Sequence, residues 1–198
     1  IDPVRYISNN SSGKMGYALA EAAVQEGAIV NLVSGPVVLA ADKSINLFKI
    51  NSASEMLEAV NTCMKSSDIF ISCAAVADYK PSNYSDTKIK KENLDNLEIN
   101  LEKNHDILSE VAEQFSSAYI VGFAAETSDV NSNAKKKIDS KNLNMIISND
   151  VSDTSIGFDS DENEVHVITG SKTIFIKKDK KIRIAREILN IISTNINS

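Results

Sequence analysis

Four short apolar runs punctuate this chain: Ala28 to Val33, Asp68 to Ala75, Ala118 to Phe123 and Asn144 to Ser148. They lack the strict polar alternation of a strand with one wet face, and instead read as strands buried on both faces. Helical patterns fill the intervals. Met15, Leu19, Ala22 and Ala23 recur at helical spacing until Gly27 stops them, predicting a helix from about Ser12 to Glu26. Ser52-Ala-Ser-Glu55 has capping-box spacing ahead of Met56, Val60 and Met64. Ile107, Leu108, Val111, Ala112 and Phe115 mark a third helix, and a lysine-rich one runs to about Lys141. Strands and helices alternating in this way imply a parallel sheet covered on both faces.

The later chain changes character. Glu164 to Thr169 and Lys172 to Ile176 flank Gly170-Ser171, a hairpin signal, and a last helix is expected to bury Ile184, Ala185, Ile188, Leu189 and Ile192. Leu47 to Ile50 reads as a short strand and Leu97 to Glu102 alternates as a half-exposed one. Between Val76 and Glu92 the pattern collapses into Asp, Tyr, Lys, Pro, Ser and Asn, a loop long enough to suspect function. The expected fold is therefore α/β: Rossmann-like, three αβα layers, a mostly parallel sheet and a late antiparallel hairpin.

Composition narrows the function. With 198 residues, 42% of them hydrophobic, one domain with a sizeable core is expected. Charged residues make up 24%, and no apolar run approaches a membrane span. No signal-peptide pattern precedes the first glycine, which favours a cytoplasmic location. A net charge of −6 argues against nucleic acid as a partner. Cys63, Cys73, His105 and His166 show neither paired spacing nor CxxC, so neither zinc nor a disulfide framework is supported. Both cysteines read as small buried hydrophobes.

In such sheets ligands sit at the carboxyl ends of strands. Three candidate ends are Ala74-Ala75, Phe123-Ala124 and Asn149-Asp150. Near them in the pattern stands the opening turn, where Ser11, Ser12, Gly13 and Gly16 offer hydroxyls and open N–H groups at a helix start. It is neither a P-loop, since Met15 follows Lys14, nor GxGxxG. Glycines at such a place also serve close helix–sheet packing; Arg5 and Asn9 beside them bring an anion site level with that explanation.

Other polar residues carry two readings each. Lys137 and Lys141 share a helix face by their i, i+4 spacing, suited to a triphosphate or simply to water. Lys88-Ile-Lys-Lys91 sits in the long loop, either as cations that close over a ligand or as a basic surface loop. Asp78 suits a ribose hydroxyl or a metal-bound phosphate and equally forms turns, and Glu126 shares that ambiguity. His105, at a helix start, fits capping or exposure better than catalysis, and His166 gains no role. Tyr84 to Lys88 supplies YxxxK, the signature of a short-chain NAD(P) dehydrogenase. Pro81 and its polar surroundings make that segment a loop instead of the long helix such a pair requires.

Five blocks in order, Asp2-Pro-Val-Arg-Tyr-Ile-Ser-Asn-Asn-Ser-Ser-Gly-Lys-Met-Gly16, Cys73-Ala-Ala-Val-Ala-Asp-Tyr79, Lys88-Ile-Lys-Lys91, Val121-Gly-Phe-Ala-Ala-Glu-Thr127 and Asn149-Asp-Val151, cover most of the chain. Together they resemble phosphopantothenate–cysteine ligase, the synthetase half of the bacterial bifunctional coenzyme A biosynthesis protein. The resemblance implies two half reactions. The carboxylate of 4′-phosphopantothenate attacks CTP to give an acyl cytidylate and pyrophosphate, and the amine of cysteine then displaces CMP. Such chemistry needs cations and oriented donors but no nucleophilic side chain.

The resemblance also implies roles. Lys88 supports formation of the acyl cytidylate, and Asn9 contacts the acyl intermediate, with Arg5 nearby. Nucleotide contacts come from Ser72, Cys73, Ala74, Asp78, Lys88, His105, Asp106, Ile107, Leu108, Phe123, Lys137 and Lys141. Phosphopantothenate contacts come from Asn9, Ala74 and Ala75. Mg2+ accompanies CTP, bridging phosphate oxygens, and no protein metal ligand or flavin is expected in this domain. A homodimer is implied, as is a flavin-dependent decarboxylase domain N-terminal in the full protein. Residues 1–198 are expected to form one ligase domain that lacks the family's usual first strand and Gly-Pro-Thr-Arg-Glu-like turn, leaving a sheet position unfilled. His105 stands where the family commonly has proline. A NAD(P) oxidoreductase and a non-catalytic nucleotide-binding module are the alternatives.

Overall fold

The computed structural model describes residues 1–90, 96–126, 130–150, 160–170 and 172–197, without the side chains of 125, 126, 130–135 and 150. Lys91, Thr127, Val151 and Ser171, and the side chains of Glu126 and Lys135, fall outside the described set. In chain order the elements are α1 (Lys14–Gln25), β1 (Asn31–Ser34), β2 (Asn46–Lys49), α2 (Ala53–Met64), β3 (Ile69–Ser72), β4 (Tyr79–Pro81), β5 (Leu101–Lys103), α3 (Ile107–Gln114), β6 (Tyr119–Glu126), α4 (Val130–Lys141), β7 (Met145–Asp150), β8 (Glu162–Thr169), β9 (Lys172–Lys180) and α5 (Lys181–Ile196).

The main sheet has five strands in the order β3-β6-β7-β8-β9. β3, β6 and β7 are parallel, and β8 and β9 complete the sheet as an antiparallel hairpin. β1 and β2 form their own parallel pair, and β4 and β5 an antiparallel one. The Rossmann-like α/β expectation is met, with a mostly parallel sheet that turns antiparallel at its far edge.

Strand alternation divides the core into two layers. Along β6 and β7, Ile120, Ala124 and Ile146 pack with Met56, Val60, Ile107, Val111 and Ile138, the apolar sides of α2, α3 and α4. Val121, Met145 and Ile147 pack instead with Leu19 and Ala22 of α1 and Ile184, Ala185 and Ile188 of α5. Each fully buried Ile or Val contributes about 2 kcal/mol by leaving water, so the runs without polar residues become the central strands. Among the described residues no helix is long and apolar enough to cross a membrane.

Two differences from the sequence reading bear on the site. β3 ends at Ser72, paired with Gly122, so Cys73 to Ala75 leave the ladder and form the start of a loop. That loop contains β4, which pairs with β5 through Tyr79 with Lys103 and Pro81 with Leu101. The Tyr-Lys-Pro strand shows no alternation, and the strand expected over Leu97 to Glu102 is observed only at Leu101–Lys103, exposed at all three positions; proline is tolerated only where a strand need not donate. The helix start at Ser52 holds, its hydroxyl accepting from Glu55 N at 3.2 Å, while the Glu55 carboxylate accepts from Asn51 N at 3.0 Å, one residue ahead of a standard box.

Candidate active site

Because β3, β6 and β7 run in parallel, Ser72, Phe123, Ala124 and Asn149 all approach one edge of the sheet. Two of the helices that begin in reach of that edge have described starts on either side of it, α1 and α3. α1 starts after Gly13, which sits at φ 74° as its N-cap, a left-handed conformation that favours glycine. α3 starts after Asp106, whose carboxylate accepts from Ser109 N at 3.1 Å.

The loop beyond β3 is tied down by amide side chains. Asn9 donates from Nδ2 to the Val76 carbonyl at 3.2 Å, which brings the opening turn onto the segment Ala74 to Asp78. Asn104 donates from Nδ2 to the Ala77 carbonyl at 3.1 Å and from its backbone N–H to the Asp78 carbonyl at 2.8 Å. Ala74 and Asp78 are exposed and Ala75 half-buried, so a ligand has access to them.

The opening turn also holds the lysine loop. Asp2 and Arg5 form an ion pair, and Arg5 Nη2 donates to the Ile89 carbonyl at 3.1 Å. The Arg5 hydrogen bond, opposed by burial and reinforced by the N–H groups of Val4, Ile89 and Arg5, holds the Asp2 carboxyl well below the usual carboxylate range. Lys88, one residue before Ile89, is exposed. Asn9 and Lys88 therefore lie on segments fastened to the same turn.

On the other side of the edge, Lys141 Nζ meets Asp106 Oδ2 at 2.6 Å, joining the end of α4 to the start of α3. Lys137 lies one turn back on α4 and is exposed. His105 is exposed and its Nδ1 lies 3.0 Å from Glu110 Oε1; its backbone N–H is taken by Asn104 Oδ1. Ile107 is buried under the α2–α3–α4 layer, with Leu108 against it.

Cys73 and Phe123 are placed differently. Their side chains pack against the α1–α5 layer, the opposite face from α3 and α4. Desolvation, eased only in part by Lys181, pushes the Cys73 thiol up to about 12, so it stays a neutral thiol. What these two residues offer a ligand at the edge is backbone. The position of Ser72 opposite Gly122 makes the same point, since Gly122 admits close approach where a Cβ would lie 2.8 Å from Leu108 Cδ2.

Asp2 and Asn104 are the site residues that pattern reading passed over. Asp2 had a signal, because an Asp followed two and three residues later by free N–H groups makes an Asx turn, here with Val4 N and Arg5 N each at 2.9 Å. Among the described residues no group of three or more His, Cys, Asp or Glu side chains comes together. The arrangement as a whole offers cations, a helix start and oriented amides, groups suited to an anion.

The model of one family matches residues 1–196: the C-terminal domain of the DNA/pantothenate metabolism flavoprotein. The chain belongs to this family. Among members of the DNA/pantothenate metabolism flavoprotein group, it is 45% identical to the coenzyme A biosynthesis bifunctional protein CoaBC of Vibrio vulnificus (strain YJ016), over 98% of this chain and 49% of that protein. The chain thus spans about half the length of the curated relatives it matches. A crystal structure of the C-terminal domain of CoaBC superposes with a TM-score of 0.83 at 39% identity, covering 100% of this chain and 89% of that one. A Cab2 mutant in complex with phosphopantothenate-cysteine shares the fold at a TM-score of 0.77 and 17% identity, over 97% of this chain and 80% of that one. The resemblance read from five sequence blocks is thereby confirmed at the level of the family.

Proposed function

We propose that this chain is a phosphopantothenate–cysteine ligase, joining 4′-phosphopantothenate to cysteine at the expense of CTP in coenzyme A biosynthesis. The observation that carries the reading is the double attachment of the opening turn: Asn9 to Val76 and Arg5 to Ile89, which places an amide and the Lys88 loop at one strand edge. The similarity to the Vibrio coenzyme A biosynthesis bifunctional protein and the phosphopantothenate-cysteine bound in the Cab2 structure support it.

In the first half reaction a carboxylate oxygen of phosphopantothenate bonds to the α-phosphorus of CTP, and the bond from that phosphorus to pyrophosphate breaks. Lys88 neutralises the charge that builds on the phosphate oxygens, aided by Arg5. In the second, the cysteine amine bonds to the acyl carbon, CMP leaves, and the amine loses a proton. Asn9, with Ala74 and Ala75, holds the pantothenoyl group across both steps. The nucleotide lies over Ser72, Cys73, Ala74 and Asp78, with the α3 start (His105, Asp106, Ile107, Leu108), the Phe123 backbone, Lys137 and Lys141 around it. Mg2+ entering with CTP would shield the triphosphate charge.

The same reading takes residues 1–198 as one ligase domain. It places the protein in the cytoplasm and joins it, in the full protein, to an N-terminal flavin-dependent decarboxylase. Tyr79, Leu97, Ile99 and Leu101 are each more than a third exposed, an apolar set on and just before the β4–β5 pair that supports a homodimer through this region. The decisive experiment is pyrophosphate release from CTP by the full-length protein with magnesium and phosphopantothenate but no cysteine. Release is expected; its absence would sink the ligase.

A further inference from the structure

The Asp2 side chain is wholly enclosed, and its two oxygens divide their work. Oδ1 accepts from Val4 N and Arg5 N, closing the local turn. Oδ2 accepts from Arg5 Nε at 3.0 Å, from Arg5 Nη2, and from Ile89 N at 3.1 Å. Arg5 Nη2 reaches on to the Ile89 carbonyl at 3.1 Å. Residue 89 is thus gripped at both ends, its N–H by a carboxylate and its C=O by a guanidinium. The N–H belongs to the peptide bond that Lys88 shares with it.

A turn that needed only its own closure would be satisfied by Oδ1. The bonds from Oδ2 and Arg5 to Ile89 cross more than eighty residues and grip a stretch whose other residues from 86 to 90 are exposed. Charge-assisted bonds of this kind are about twice as strong as neutral ones, and a lysine ammonium on four rotatable bonds is aimed only as well as its backbone is fixed. We propose that Asp2, acting through Arg5 and the Ile89 peptide, is a positioning residue that fixes the backbone of Lys88 for its step of the reaction. This rests on the role given to Lys88 above.

Asn is the informative replacement, because it keeps the shape but turns one oxygen into an N–H2 that faces three donors. In the full-length protein, Asp2→Asn is expected to speed tryptic cleavage of the Lys88–Ile89 bond, followed by mass spectrometry, by about tenfold or more, with cleavage after Lys65 unchanged. Pyrophosphate release should fall by about tenfold or more, as a loss of kcat instead of a rise in the CTP KM. The double variant Asp2→Asn/Lys88→Gln should be no slower than Lys88→Gln alone, since both changes disable one device. Equal protection of the Lys88–Ile89 bond in both proteins, or losses that multiply in the double variant, would overturn the proposal. Should Asp2→Asn unfold the protein, Arg5→Lys keeps the positive charge but breaks the guanidinium's bonds to Asp2 Oδ2 and the Ile89 carbonyl, and unchanged cleavage there overturns it equally. If Lys88→Gln alone leaves pyrophosphate release intact, the role of Lys88 fails while the proteolysis still judges the grip.

Discussion

Lys141 and Asp106 join the last turn of α4 to the cap of α3 at 2.6 Å. Burial alone would raise the Asp106 carboxyl, and its hydrogen bonds from Lys141 and Ser109 outweigh that and hold it below its usual 3.8. Asp106→Ala removes cap and pair together and is expected to cost about 1.5 kcal/mol, whereas Asp106→Asn keeps a capping oxygen and costs about 0.5 kcal/mol. A lowered carboxyl stabilises fully above its unfolded value and loses that contribution as pH falls through the folded one. The gap between wild type and Asp106→Asn should therefore be full at neutrality and close below about pH 4. Urea titrations at several pH values measure it.

Gly122 lets Leu108 lie flat on the sheet. A Cβ there would stand 2.8 Å from Leu108 Cδ2 and 3.3 Å from Leu143 Cδ1, so Gly122→Ala must push flexible leucine tips aside. A loss of about 1 kcal/mol is expected, together with a higher KM for CTP, because Leu108 belongs to the α3 start. In a Leu108→Ala background the same change should cost less, a coupling that a thermal-melt cycle reads directly.

The two half reactions separate Lys88 from Asn9. Lys88→Gln is expected to cut pyrophosphate release to a small residual rate, and Asn9→Asp to permit it while acyl cytidylate accumulates, detected by quench and chromatography. Equal rates of both half reactions in either variant would contradict these roles.

The cysteines offer a control on side-chain direction. Burial raises both thiols, Cys73 to about 12 and Cys63 less far. With iodoacetamide near pH 8, Cys63 should be labelled first by a wide margin, as peptide mass spectrometry will show. Labelling of Cys73 first would mean that its thiol faces the ligand edge and not the α1–α5 layer.

Patterns within one segment were legible; relations between distant segments were not. The apolar run around Ile120 and Val121 announces a central strand because burial on both faces removes every polar position from it. Ser52 announces a helix because capping acts over three residues. β4 escapes notice, and β5 is foreshadowed only in part by the alternation from Leu97 to Glu102, since their pairing joins short, exposed segments across a long loop. At the site, the resemblance singled out Asn9 and Lys88, but the partners Val76 and Ile89 emerge only from the fold. That Phe123 points away from α3 depends on strand register, and that Asp2 reaches Ile89 depends on a turn closing over a loop far along the chain.

α1 and α5 close one half of the core from opposite ends of the chain, with Arg186 Nη2 on Gln25 Oε1 at 2.7 Å. The other half draws all but Ile168 of its buried residues from positions before 147. Synthesis runs from the N-terminus, so that half can assemble on the ribosome while α1 still waits for the final sixteen-residue helix. The turn that carries Asn9 leads straight into α1. It is made well before α5, and the helix behind it is sealed in place only when α5 arrives.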